Sequence, residues 1–257
     1  MLARRRVCGV LILLPPSEGK AAPAHGDPVN LESLSHPELT DARRRVARAL
    51  ATVSGQRNAL TALGAGASLA EEVSRNTTLM TNPAAPAAKV YAGVLYEAAG
   101  MASWDAATLS RAADRILISS ALWGAVTPLD EIPAYRLSAG TTLGRLGNVT
   151  SFWRPRLSEA LAPQDPLIID CRSGGYAAMW AAPKDRTITI RVERELNGKR
   201  AVVSHFAKHW RGLLVRELMA RPTDPATPED LATVASAIRG VTAVELTPGA
   251  ITLVVAG

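Results

Sequence analysis

The chain has 257 residues, 47% of them apolar and 20% charged, which is enough for a packed core and excludes a disordered or fibrous chain. Aromatic residues are only 4%, which excludes an aromatic stacking platform for single-stranded nucleic acid. The net charge is +6 and uneven: in residues 222–257 Asp224, Glu229, Asp230 and Glu245 outweigh Arg239 by three, leaving +9 on residues 1–221. That excess suits an anionic partner, although an arginine-rich background would give it too.

Val7–Leu14 is an apolar run ended by Pro15-Pro16 and followed by Ser17-Glu18-Gly19-Lys20. A short apolar run stopped by prolines reads as a strand buried on both faces. The polar loop after it falls where open α/β sheets bind ligands. Arg4–Arg6 ahead of the run imitates a secretory signal, but the prolines and charges that follow favour the strand. No stretch approaches the ~20 apolar residues of a membrane helix. Residues 21–34 read as a surface loop. Ser35-His36-Pro37-Glu38 has the spacing of a capping box and predicts a helix over Pro37–Val53. That helix carries Arg43, Arg44, Arg45 and Arg48, and Arg44 and Arg48 share a face. The face is either merely solvated or a DNA-contacting edge.

Ala59–Gly66 and Leu69–Leu79 read as short helices, and Pro83 and Pro86 break the chain after them. Ala87–Gly100 has helical periodicity with Gly93 inside it. Gly93 serves either close packing or the turn of a helix–hairpin–helix that grips a phosphate. Asp105 caps a helix to Asp114, and Arg115–Ser120 is a second strand. Ser151–Leu161 is a helix with Pro155 in its first turns. Pro166–Cys171 is a third strand, followed by a short helix over Tyr176–Trp180. Thr187–Glu195 and Arg200–Ser204 flank Asn197-Gly198 as a hairpin. His205–Arg221 is amphipathic. Thr227-Pro228-Glu229-Asp230 caps a helix to Ile238, and Val241–Leu246 and Ala250–Val255 are the last strands. Interleaved helices and strands predict an α/β fold: a single domain over residues 1–257, with a central mixed β-sheet flanked by helices and residues 1–9 as an extension.

The chemistry-bearing residues cluster after the predicted strands. Ser17-Glu18-Gly19-Lys20 offers a hydroxyl, a carboxylate and an ammonium. It is not a P-loop, because Leu14 stands where that loop needs glycine and Ala21 replaces its hydroxyl. Alternation places Asp170 and Arg172 on one face of their strand and Cys171 on the other. Glu18, Lys20, Asp170 and Lys208 are the candidate catalytic groups. Ser17, Tyr135, Arg136, Arg172, Ser173, Tyr176 and Arg211 are the candidate ligand-binding groups. Each can equally serve as a structural cross-link. Cys8 and Cys171 make no disulfide framework, which fits a reducing compartment. A redox role for Cys171 requires an exposed, stabilised thiolate. His205 and His209 have metal-chelating spacing but no visible third ligand, and no cofactor motif or metal set is expected.

Several blocks carry a resemblance when taken together: LLPPSEGK at the start, Ser119–Asp130, Ile132–Gly140, Ile169–Tyr176 and Val203–Gly212. In order and content they resemble the YaaA peroxide-stress family across roughly residues 10–220. The resemblance implies a cytoplasmic protein tied to oxidative stress and iron handling, with duplex DNA as partner. The residues themselves also support an alternative. Glu18 and Asp170 ill suit a pure DNA-backbone binder, since they repel phosphate, whereas an enzyme for a phosphorylated, nucleotide or amino-acid-like molecule could use them as bases.

Overall fold

The computed structural model describes residues 9–161, 166–196, 199–202 and 206–256. Met1–Cys8, Asn197-Gly198 and His205 lie outside them, together with the readings made on those residues. The chain runs β1 (Val10–Leu14), α1 (Thr40–Ser54), α2 (Ala59–Ala62), α3 (Ala70–Arg75), β2 (Ala85–Pro86), α4 (Ala87–Val90), α5 (Val94–Ala99) and α6 (Ala106–Arg115). It continues β3 (Ile116–Ser120), β4 (Gly124–Val126), β5 (Glu131–Ile132), α7 (Val149–Ala160), β6 (Leu167–Asp170) and α8 (Gly174–Ala177). It closes with β7 (Thr187–Leu196), β8 (Lys199–Val202), α9 (Phe206–Ala220), α10 (Pro228–Ser236), β9 (Val241–Thr247) and β10 (Ala250–Ala256).

Eight strands form one mixed sheet in the order β4-β3-β1-β6-β7-β10-β9, with β8 paired to β7. β1 pairs in parallel with β3 on one side and β6 on the other. Every side chain of β1 is buried, as expected of a parallel strand with both neighbours in place and both faces covered. β7 and β10 extend the parallel set, while β4, β8 and β9 pair antiparallel. The expected α/β fold with a central mixed sheet is what forms. From β1 the chain crosses to β3 on one side and later to β6 on the other. The carboxyl end of β1 is therefore a topological switch point, where such sheets leave a crevice.

Helices α6, α9 and α10 lie against the sheet, and α5 packs on α9. Gly212 sets that last contact: a Cβ there would stand 2.2 Å from the Leu95 carbonyl oxygen. Gly124, at φ +76, meets the Trp153 ring, which a Cβ would reach at 2.7 Å. Here only glycine satisfies both the left-handed backbone and the close approach.

Four local readings are corrected. Ser35 is not a helix cap, because its hydroxyl donates to Asp130 Oδ1 at 2.9 Å. His36 takes the cap position in a left-handed conformation without a side-chain cap bond, and a 3₁₀ turn, Pro37–Leu39, leads into α1. Ala87–Gly100 is not one helix. It divides into α4 and α5 at Gly93, whose φ of +103 no helix interior accommodates. Asn148 caps α7 through its side chain, so the helix starts earlier than read and Pro155 lies in its interior. The short helix after β6 begins at Gly174 rather than Tyr176.

Candidate functional site

The loop leaving β1 is held by its own polar groups. The Ser17 hydroxyl donates to the Gly19 carbonyl at 2.5 Å and accepts from the Ala92 N–H at 3.1 Å. A bridge between Lys20 and Tyr91 and the Ala21 N–H bond to the Val90 carbonyl fasten the loop to α4. Lys20 turns back under this loop. Its ammonium donates to the carbonyls of Ser17 at 2.9 Å and Glu18 at 3.4 Å. It also lies 4.2 Å from the centre of the Tyr135 ring and 5.8 Å from that of Tyr91. Burial is the main cause that brings the Lys20 pKa down to about 7; Glu18 and Glu72 oppose the fall and Arg136 adds to it.

Arg136 joins the loop to its surroundings. Its guanidinium meets Glu18 Oε2 at 3.1 Å and Glu72 Oε2 at 3.6 Å, and donates to the Glu18 carbonyl at 3.2 Å. Asn76 fixes the Arg136 backbone through both of its amide atoms. Glu18 is more than half exposed, so this pair rims the crevice.

All four tyrosines of the chain gather here. The Tyr96 hydroxyl donates to the Pro15 carbonyl at 2.7 Å, and its ring stacks on Tyr91 at 5.4 Å. The Tyr91 and Tyr135 hydroxyls are 3.0 Å apart, and Tyr135 also meets Ser120 Oγ at 2.8 Å. Tyr176, hydrogen-bonded to the Ala139 backbone, completes the set. Burial pushes every one of these phenols upward, Tyr91 to about 12. Sequence reasoning singled out Tyr135 and Tyr176 but missed Tyr91 and Tyr96. The signal available was that no other tyrosine exists in the chain.

The remaining candidates divide. Asp170 and Arg172 do share a face, and they close on each other as a buried fork. Arg172 Nε and Nη2 donate to the two carboxylate oxygens at 3.0 and 2.8 Å, and Nη1 donates to the Trp180 carbonyl. Arg211 donates to the carbonyls of Ile190 and Cys171 and so ties α9 to the strand ends. Cys171 is fully buried, with its thiol pushed up to about 12, which is the packed thiol rather than a thiolate. Ser173 is exposed at the start of α8 without a side-chain cap bond. Lys208 is exposed and faces a groove of about 180 Å³ lined by Pro15–Gly19 and Ala92–Tyr96. Lys20 faces a separate recess of about 10 Å³ with Glu72, Arg75, Ala134 and Tyr135. Arg172 lines neither.

On α1, Arg43 is fully buried and is not part of a solvated face. It donates to the carbonyls of Ser35, His36, Trp123 and Ala125. Arg44 is paired with Glu32 and Asp41. Arg48 is exposed.

A family model described as "Peroxide stress protein YaaA" matches residues 10–238. The chain belongs to this family. Among its relatives is a UPF0246 protein of Streptomyces coelicolor, 44% identical over 229 residues, covering 86% of this chain and 87% of that protein. Another, from Corynebacterium efficiens, is 43% identical over 88% of this chain and 91% of its own. A more distant UPF0246 protein of Cereibacter sphaeroides is 37% identical over 58% of this chain. The matched stretch of this YaaA-family chain runs from β1 to the end of α10 and includes every element that builds the crevice. No helix among the described residues is long and apolar enough to cross a membrane.

Proposed function

We propose that this YaaA-family protein is a cytoplasmic component of the peroxide-stress response that binds duplex DNA through its phosphate backbone. The observation that carries this reading is the groove at the α4–α5 turn. Two short helices meet at Gly93, which has open space above it, and Gly19 beside it is equally open. Lys208 adds a cation without an ion-pair partner among the described residues. The one carboxylate on this rim, Glu18, is compensated by Arg136, so a phosphate can approach the glycines and the ammonium. The family description supplies the link to peroxide.

Fluorescence anisotropy with a labelled duplex tests it. Affinity is expected to fall steeply between about 50 and 200 mM salt, in the same way for unrelated sequences. Lys208→Glu is expected to weaken every duplex and to flatten the salt slope by about one unit or more. Arg48→Glu is expected to act likewise, and Arg44→Glu less, because Glu32 and Asp41 already hold Arg44. Salt-independent binding, or none at low salt, refutes the reading.

A second reading, an enzyme for a small anionic molecule, is favoured by one specific observation. Lys20 sits at the switch point with its charge supported by no direct carboxylate contact, beside Arg75 and Arg136.

A further inference from the structure

Lys20 is unlike Lys89, Lys184 and Lys208. Lys89, Lys184 and Lys208 project from helices or turns. Lys20 alone is folded under a loop against aromatic rings, 4.2 Å from the Tyr135 centre. No carboxylate comes within ion-pair distance of its nitrogen among the described residues; Glu18 and Glu72 are engaged by Arg136. Its hydrogen-bond partners are two backbone carbonyls, to which a neutral amine can still donate its two N–H groups, though more weakly than an ammonium. The recess beside it has room for about one water-sized group, and Arg75 stands at its edge.

We propose that Lys20 is a reactive amine that condenses with small aldehydes carrying a carboxylate. The nitrogen lone pair attacks the carbonyl carbon, the C–N bond forms and the C=O π electrons move to oxygen, which takes a proton. Loss of water, with the second N–H proton leaving from nitrogen, gives the imine. The recess admits the carbonyl end only. Arg75, whose partner Glu71 is largely exposed, receives the carboxylate. The charged groups facing the nitrogen are Glu18 and Glu72, which favour the ammonium, and Arg136 and Arg75, which disfavour it; Tyr91 and Tyr135 face it as neutral phenols. Burial decides the balance toward the free amine near neutral pH. This step rests on the second reading of the crevice and is separable from it.

The test is reductive trapping of glyoxylate by cyanoborohydride in the full-length protein, read by peptide mass mapping. At pH 7 Lys20 is expected to be modified at least about tenfold faster than Lys89, Lys184 or Lys208. Its rate is expected to level off above pH 8, while theirs keep rising towards pH 10. Arg75→Ala is expected to slow trapping of glyoxylate but not of uncharged glycolaldehyde; equal slowing, or none, refutes the carboxylate contact. Lys20 reacting no faster than the other lysines refutes the proposal. Oxamate, a non-condensing analogue, reads binding alone by calorimetry. Binding of oxamate without a Lys20 adduct refutes the condensation and leaves the crevice reading standing, and binding of neither refutes both.

Discussion

Arg43, fully buried, and Lys20, partly buried, are two cations treated in opposite ways by their surroundings. Arg43 donates to four backbone carbonyls, so it keeps its charge although burial brings its pKa down to about 10. Arg43→Met is expected to cost about 3 kcal/mol or more, since it strands four carbonyls at once. Arg48→Ala on the same helix is expected to stay within about 0.5 kcal/mol, and urea melts distinguish the two. For Lys20 the sign runs the other way. Its folded pKa lies below the unfolded value, so the native state holds fewer protons between about pH 7 and 10.5 and stability from this group rises with pH across that window. Below pH 7 the full cost of burying the ammonium is present. Lys20→Met is therefore expected to raise the melting temperature more at pH 6 than at pH 10. The sequence marked Lys20 because it follows a buried strand. It hid Arg43 among its neighbours, because periodicity places a residue on a face but does not say what covers that face.

At the scale of elements, β1 and β6 were legible because their short apolar runs are bounded by prolines and charges. The α4–α5 division was not, since Val90, Val94, Leu95 and Ala98 fit one helical stripe as well as two short pieces. Only the backbone angle at Gly93 separates them. The capping box failed for a long-range reason: Asp130, 95 residues away, takes the Ser35 hydroxyl. Of the candidate site, the rim at Ser17–Lys20 was readable from local order. The closure of Asp170 on Arg172 was foreshadowed by alternation, but the carbonyl partners of Arg211 come from β7 and from the residue after β6 and left no trace in spacing. Gly212→Ala tests how tightly the elements meet. Its Cβ would press on the Leu95 backbone, so α5 and α9 must part, at a cost of about 1–3 kcal/mol measured by thermal unfolding. Because α5 also walls the groove that Lys208 faces, the same variant is expected to weaken duplex binding.

Across the whole molecule, the candidate groups Ser17–Lys20 and Asp170–Ser173 fall at or just after the carboxyl ends of β1 and β6. The acidic chain end contributes β9 and β10, on the far side of β7 from β1. Cys171 lies in the middle of this architecture, fully buried. Native protein is therefore expected to show no alkylation of Cys171 by iodoacetamide at pH 8, with labelling appearing on unfolding; the readout is the Cys171 peptide. A peroxide-linked role built on this thiol would require the opposite result.

The gathering of all four tyrosines at the switch point also gives the protein an intrinsic optical gauge. An ordinary phenol ionises near pH 10 and then absorbs near 295 nm, but here every phenol is held neutral well past that pH. An alkaline titration of the folded chain is expected to stay dark through pH 10. Tyrosinate absorbance would then rise only as the crevice opens, so one wavelength follows the integrity of this corner of the fold without any added label.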